Sequence, residues 1–97
     1  MKFKIVGDLM YAVKTAGYKL DPTAEMETDF SDCLCGYDYY ERENKTAEWI
    51  DGFYDLDTAY LCRGEDGELY AVEYIWCRGS QTLYPAIWQR VIKNTDI

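Results

Sequence analysis

Two apolar runs separated by a strong turn signal constrain the fold more than any other part of this chain. The runs are residues 58–63 and 68–77, together rich in Tyr, Leu, Val, Ile and Trp, and Asp66-Gly67 lies between them. An Asp-Gly pair in this position is typical of a two-residue type I′ turn, because both central residues of that turn need positive φ. The sequence therefore predicts a β-hairpin with a two-residue loop.

The second run is predicted to be a central strand because both of its faces are largely apolar. Alternation places one set of side chains together: Tyr70, Val72, Tyr74 and Trp76. The other face combines one acid, Glu73, with four apolar side chains: Leu69, Ala71, Ile75 and Cys77. A strand that is covered on both faces belongs inside a sheet rather than at its edge.

The N-terminal residues indicate a short strand followed by a helix. Phe3 and Ile5 alternate with lysines up to Gly7, as in a half-buried strand. Asp8 then suits an N-cap, and small or apolar residues follow at helical spacing: Leu9, Ala12, Val13 and Ala16. Gly17 stands where a C′ glycine would end this helix.

Further helices are predicted in the middle and at the end of the chain. One begins at Asn44 or Thr46 and has an apolar stripe of Trp49, Phe53 and Leu56. The last begins with Thr82 as N-cap and Pro85 in its first turn, and its buried side is supplied by Ala86, Ile87 and Val91, with Trp88 as a further candidate. Asp21, followed by proline, also suits the start of a short helical turn.

These elements predict an α+β fold, a small antiparallel sheet with a C-terminal β-hairpin, packed against two or three helices. The 97 residues suffice for a single domain, residues 1–97, with one modest core. No stretch resembles a signal peptide or stays apolar over the ~20 residues that a membrane-spanning helix needs. We therefore expect a cytoplasmic protein that has no membrane partner.

Acidic residues are concentrated in the middle of the chain. Twelve of the eighteen carboxylates lie between Asp21 and Asp57 and only two bases oppose them, which gives this block a formal charge of −10 in a chain of −8. Aromatic residues are interleaved with the acids, a composition that favours an adhesive anionic surface. The residues predicted to bind a partner are acids and tyrosines of this block: Asp29, Asp32, Tyr37, Asp38, Tyr39, Tyr40, Glu41, Glu43, Glu48, Asp51, Asp55 and Asp57.

Composition argues against several classes of function. Histidine is absent, which removes the usual general base at neutral pH and the commonest neutral metal ligand. The sequence has neither a P-loop nor a Gly-rich dinucleotide motif. A chain with a pI of about 4.3 is repelled by nucleic acids and anionic lipids. The sequence thus predicts a protein without catalytic residues, cofactor or metal, whose partner is the basic surface of a nucleic-acid-handling protein.

The four cysteines raise a zinc or redox module as a further hypothesis. Cys33 and Cys35 form one close pair, whereas structural zinc sites use two such pairs. In a hairpin with a two-residue loop Cys62 faces Ala71, and Cys77 lies roughly 20 Å further along at ~3.3 Å per residue. Because four such sulfurs do not converge, reduced and mostly buried cysteines are expected.

In size, acidity and lack of catalytic groups the chain resembles the small inhibitors encoded by phages and mobile elements, among them anti-CRISPR and anti-restriction proteins. The resemblance is one of composition over the whole chain, because these proteins share no common motif. It implies a stoichiometric inhibitor that docks on a nuclease or effector complex and excludes nucleic acid. The charge density suits nucleic-acid mimicry, since ~20 Å of B-DNA presents about twelve phosphates.

An interaction or regulatory module is the alternative hypothesis. Such a module would use the tyrosine-rich hairpin or a sheet edge to dimerise or to hold a partner, and its acids would serve solubility alone. Reversing the charge of several acids separates the two hypotheses, because only the inhibitor needs them for binding.

Overall fold

An antiparallel sheet forms the body of the part of the chain that the computed structural model describes, residues 1–29, 59–77 and 81–93. Its elements are β1 (Phe3–Asp8), α1 (Leu9–Ala16), β2 (Tyr18–Leu20), β3 (Glu27–Thr28), β4 (Tyr60–Gly64), β5 (Leu69–Cys77) and β6 (Thr82–Lys93). The strands are ordered β1-β4-β5-β6-β2, and β3 also pairs with β6. The prediction that β5 is a central strand is confirmed, because β4 and β6 occupy its two edges.

The two faces of the sheet pack different sets of side chains. The face that α1 covers contains the larger cluster, which includes Leu9, Ala12, Leu61, Ala71 and Ile87. The opposite face, called here the aromatic face, has a smaller buried cluster with aromatic side chains packed against it: Cys62, Val72 and Trp88, with Phe3, Tyr70 and Tyr74. The sheet therefore has a helix on one side and an aromatic surface on the other.

The predicted N-terminal strand and helix are confirmed. Asp8 ends β1 and caps α1, because its Oδ1 accepts a hydrogen bond from the Tyr11 N–H at 2.8 Å. Gly17 ends the helix with a φ of 71°, which favours glycine. The N–H of Leu9 donates to the Ala59 carbonyl at 3.2 Å and ties the start of the helix to the residue before β4.

The β4–β5 hairpin is confirmed, but the two-residue turn is wrong. Cys62 pairs with Tyr70 rather than with Ala71, so the register differs by one residue. The N–H of Gly67 donates to the Gly64 carbonyl at 3.0 Å, and Gly67 has a φ of 85°. These features define a three-residue loop, in which a type I turn is followed by a glycine bulge.

The side chain of Asp66 supports this loop. Its carboxylate accepts hydrogen bonds from the Glu68 N–H at 3.0 Å and from the Tyr70 hydroxyl at 2.5 Å. The bond from Tyr70 is the main cause that lowers the pKa of Asp66, and the same bond raises the pKa of Tyr70 to about 12. The carboxylate thus connects the loop to β5, which a type I′ turn would not require.

The predicted C-terminal helix is wrong, and with it the predicted α+β fold of a sheet packed against two or three helices. The twelve residues Thr82–Lys93 form strand β6, which pairs with β5 on one edge and with β2 and β3 on the other. Across residues 1–29, 59–77 and 81–93 the single helix is α1, and the helix predicted from Asn44 or Thr46 lies outside these ranges. The C-terminal half is therefore a three-stranded meander rather than a hairpin and a helix.

A bulge at Ala86 explains why β6 has the pattern of a helix. The register with β5 shifts between the pairs Glu73–Ile87 and Tyr74–Pro85, which leaves Ala86 as the extra residue. Strict alternation is broken there, so apolar residues are adjacent as they are in a buried helix. Pro85 lacks an N–H and is tolerated beside such a bulge.

The turn after β2 is fastened to β6. Asp21 is buried, and its carboxylate accepts hydrogen bonds from the Thr23 N–H at 2.8 Å and from the Thr23 hydroxyl at 2.6 Å. These bonds from Thr23 lower the pKa of Asp21, and Arg90, with its Nε 3.9 Å from the carboxylate, lowers it further. The expected helical turn is a single turn, closed by the Ala24 N–H on the Asp21 carbonyl at 3.2 Å.

Substitutions at Ile87 and Leu83 test the strand assignment of β6. We expect Ile87→Ala to lower the free energy of unfolding by about 2–5 kcal/mol, because Ile87 is fully buried and its truncation leaves a cavity. Leu83→Ala should change it by less than about 0.5 kcal/mol, because Leu83 is 61% exposed. Urea denaturation measures both. A helix would place these residues on one face, so equal losses would contradict the strand.

Acid unfolding tests the role of Asp21. A carboxylate whose pKa is lower in the folded than in the unfolded state stabilises the fold above its unfolded pKa, and this stabilisation is lost as pH falls through the folded value. We expect Asp21→Asn to be less stable than the parent at pH 7, and the difference to shrink below the ordinary pKa of 3.8. Thermal unfolding from pH 7 to pH 2 measures the difference; a constant difference would contradict an ionic role.

Candidate protein-binding surface

Charge is divided unequally between the sheet and the segment that interrupts it. Residues 1–29, 59–77 and 81–93 contain nine acids and seven bases, a formal charge of −2. Residues 30–58 contain eight acids and two bases, a formal charge of −6. The sheet is therefore close to electrical balance, and most of the chain's surplus of −8 belongs to this one segment.

Asp29 is the one predicted partner-binding residue that lies within the described ranges. It follows β3, is exposed, and donates its N–H to the Ala86 carbonyl at 2.8 Å. The others fall outside these ranges and stay predictions: Asp32, Tyr37, Asp38, Tyr39, Tyr40, Glu41, Glu43, Glu48, Asp51, Asp55 and Asp57.

Segment 30–58 joins the sheet on opposite sides of the β5–β6 hairpin. At its start, Asp29 lies along the outer edge of β6, beside the bulge at Ala86. At its end, Ala59 is buried, and Tyr60 begins β4, where it pairs with Val72 on the other edge of the hairpin. The hairpin at Val72 and Ala86 therefore lies between Asp29 and Ala59, the described residues that flank the acidic segment, and its far end begins beyond them.

Large apolar side chains are exposed at that end of the hairpin. Trp76 and Leu83 are 55% and 61% exposed, and they pair directly across β5 and β6. Tyr60 is 42% exposed and packs edge-on against Tyr74, with ring centroids 5.9 Å apart. Tyr60, Trp76 and Leu83 are called here the hairpin-end surface, and alternation along their strands places all three on the aromatic face.

Sequence reasoning missed this surface for two reasons. Trp76 is assigned to the correct strand, but that strand is expected to be covered on both faces. Leu83 is assigned to a helix, so its position opposite Trp76 does not emerge. The alternating pattern of β5 is the signal that locates Trp76, whereas Leu83 has no comparable local signal.

Cys62 and Tyr74, which are neighbours on the aromatic face, are poorly suited to nucleophilic or acid–base chemistry at neutral pH. Cys62 is fully buried and its Sγ lies 4.0 Å from the Tyr74 hydroxyl oxygen. Burial raises the pKa of the Cys62 thiol, and burial together with the neighbouring Cys62 raises the pKa of Tyr74 to about 12. A thiol that stays protonated at neutral pH is neither a good nucleophile nor a metal ligand.

The observed register separates Cys62 from Cys77 further than a two-residue turn predicts. Tyr70, the partner of Cys62, lies seven residues before Cys77 on β5, which corresponds to about 23 Å at ~3.3 Å per residue. Within the part of the chain that the structure describes, no group of three or more His, Cys, Asp or Glu residues could hold a metal ion.

A cavity of about 360 Å³ opens beside β3, and Trp88, Glu27 and Arg90 in its lining have partners within the protein. The Trp88 indole N–H donates to Glu27 at 2.7 Å. The Arg90 guanidinium lies 3.3 Å from the Glu68 carboxylate and 3.9 Å from that of Asp21. The first bond links β3 to β6, whereas Arg90 links β6 to the residue before β5 and to the turn after β2. Among these side chains no nucleophile is paired with a base.

No family model, curated protein or solved structure matches this chain. No helix within residues 1–29, 59–77 and 81–93 is both long and apolar enough to cross a membrane. The function is therefore inferred from the chemistry of the exposed surfaces.

Thiol labelling tests the inertness of Cys62. We expect Cys62 to resist N-ethylmaleimide in the native protein at pH 7.5, because the thiol is buried and its pKa is raised. It should react fully once the protein is unfolded in guanidinium. Mass spectrometry of peptides from both samples identifies the labelled cysteine; rapid modification of Cys62 in native protein would contradict this description.

Proposed function

We propose that this chain is a non-enzymatic acidic inhibitor that binds the basic surface of a nucleic-acid-handling protein. The observation that carries the proposal is the division of charge, with −6 in residues 30–58 and −2 in the described sheet. When charge serves only solubility, residues of both signs are interspersed over the surface. A nearly balanced scaffold that supports one strongly acidic segment is instead suited to recognising a cationic surface.

The inhibitor would act by occupying a groove that otherwise holds nucleic acid. Its carboxylates would take the place of phosphates, and long-range attraction would accelerate association, as it does for other complementary surfaces. Such binding weakens as salt rises, because ions screen charges that are more than about 10 Å apart at 0.1 M. A basic effector or nuclease complex of the anti-CRISPR or anti-restriction type is the proposed target, and the cytoplasm is the proposed location.

An interaction module whose acids serve solubility is the second candidate. The exposed pair Trp76 and Leu83 favours it, because exposed tryptophan and leucine side chains at one place are typical of a protein contact. In this case the partner need not be basic, and binding would be nearly independent of salt.

Charge neutralisation at two matched pairs of positions separates the candidates. Asp51→Asn with Asp55→Asn removes two charges from the acidic segment, and Glu25→Gln with Glu65→Gln removes two from exposed positions of the sheet. The target is first identified by affinity capture and mass spectrometry, and then purified for titration at several salt concentrations. We expect the D51N/D55N variant to bind the target about tenfold more weakly through slower association, and the E25Q/E65Q variant to bind within about twofold of the parent.

The outcome decides between the two candidates. Capture of a basic nucleic-acid-binding protein, competed by DNA or RNA and weakened by D51N/D55N, supports the inhibitor. Capture of a neutral or acidic partner that both variants bind equally contradicts it and supports the interaction module.

A further inference from the structure

Another cavity, of about 270 Å³, opens next to the loop between β4 and β5. Part of its wall is apolar, because Leu69 and Val91 line it and both pack in the larger cluster on the face that α1 covers. The other described residues around it are Tyr18, Arg63, Gly67, Glu68, Arg90, Ile92 and Lys93. Small-molecule sites typically measure about 300–1,000 Å³, so this cavity suits a ligand near the small end of that range.

Strand pairing brings two cationic side chains to this apolar wall. Arg63 pairs with Leu69 across β4 and β5, and the β5–β6 register, continued by one residue, places Leu69 opposite Val91. Lys93 lies two residues beyond Val91 and pairs with Tyr18, which packs in the same cluster. Alternation therefore places Arg63 and Lys93 on one face, with their Cα atoms about 12 Å apart across two strand spacings. Both side chains are long enough to reach a shared anion between them.

Neither cation is neutralised by a carboxylate of the described part of the chain. Arg63 donates from Nη1 to the Gly67 carbonyl at 2.7 Å, which is an uncharged acceptor, and a guanidinium has four further N–H donors. The Lys93 Nζ lies 5.7 Å from the centroid of the Tyr18 ring. Within residues 1–29, 59–77 and 81–93, Arg63 and Lys93 form no salt bridge. Their donors are therefore available to a ligand.

The charges around the cavity leave a positive surplus in a chain of −8. Arg90 and Glu68 also line it, and their charges cancel because the Arg90 Nη2 lies 3.3 Å from the Glu68 carboxylate. Arg63 and Lys93 then contribute a formal charge of +2, and Lys4 pairs directly with Arg63 from β1. Like charges opposite each other destabilise a sheet. An anion bound beside Arg63 would relieve this repulsion.

We propose that this cavity binds a phosphate monoester, with its phosphate between Arg63 and Lys93 and its organic group against Leu69 and Val91. A phosphate monoester carries about −1.5 to −2 at pH 7 and so balances the two cations, whereas a monocarboxylate leaves one unbalanced. The guanidinium fork also matches phosphate oxygens in pairs. A small organic phosphate and a phosphorylated side chain share this chemistry. The site is independent of the proposed function, which uses the acidic residues.

NMR titration of the full chain with phenyl phosphate at pH 7.5 tests the site. Amide shifts of Leu69, Val91 and Lys93 report whether the probe enters the cavity, and this mapping needs no variant. We expect phenyl phosphate to bind about tenfold more tightly than benzoate, which presents the same ring with a single charge. Arg63→Gln and Lys93→Gln should each weaken phenyl phosphate about fivefold, because each removes one of the two cations.

Lys19→Gln is the matched control. It also removes one positive charge and lies next to Tyr18 on β2, but alternation places Lys19 on the opposite face and it does not line the cavity. It should bind phenyl phosphate within about twofold of the parent. Arg63→Lys keeps the charge without the fork and should bind more tightly than Arg63→Gln. Circular dichroism and thermal unfolding verify that each variant is folded.

The site is overturned if phenyl phosphate gives no saturable shifts up to about 10 mM, the weak limit for so small a ligand. Equal binding of benzoate, unchanged binding in folded Arg63→Gln and Lys93→Gln, or an equal loss in Lys19→Gln also overturns it. A phosphotyrosine peptide flanked by glycines identifies the source of the phosphate. Binding as tight as that of phenyl phosphate supports a phosphorylated side chain, and binding about tenfold weaker supports a small organic phosphate.

Discussion

Hydrogen bonding along both edges of β6 is the interaction on which the rest of the structure depends. One edge of β6 pairs with β5, which in turn pairs with β4. The other edge pairs with β2 and β3 from the first third of the chain. Side chains reinforce this junction, since Trp88 donates to Glu27 and Gln89 donates to the carbonyls of Asp21 and Ala24. Without β6, the strand pairing between the first third of the chain and the rest of the described sheet would be reduced to that of β1 with β4.

The bulge at Ala86 links this framework to the candidate binding surface. In a regular strand Leu83 and Ile87 would share a face, but the extra residue between them sends Leu83 to the aromatic face and leaves Ile87 in the core. The same bulge offers its carbonyl to Asp29, where the acidic segment departs. One local irregularity therefore sets the face on which Leu83 lies and holds Asp29, the last described residue before segment 30–58.

The acidic residues and the exposed apolar side chains have complementary physical roles in the proposed binding. Charges act over distances near the Debye length and choose the sign of the partner, whereas apolar contacts act only once water has been excluded. The inhibitor and the interaction module differ in whether the charges are needed for binding. A nearly neutral sheet is compatible with both the inhibitor and the interaction module, because its own charges add little to the electrostatic attraction or repulsion of a partner.

The sequence by itself determined the elements whose signals are local. Asp8 and Gly17 bound the helix, alternation identifies β1 and the central strand β5, and Asp-Gly locates the hairpin, since each depends on residues within a few positions. The concentration of acids is also evident from the sequence alone. The three-residue loop is also held by local bonds from Glu68 and Tyr70 to Asp66, but the Asp-Gly pair alone does not distinguish it from a two-residue loop. Tertiary structure decided what local signals leave open: pairing on both edges makes residues 82–93 a strand although Thr82 and Pro85 suit a helix start. Exposure of Leu83 follows from a bulge that has meaning only in a sheet, because periodicity along one strand does not reveal where its partner shifts register.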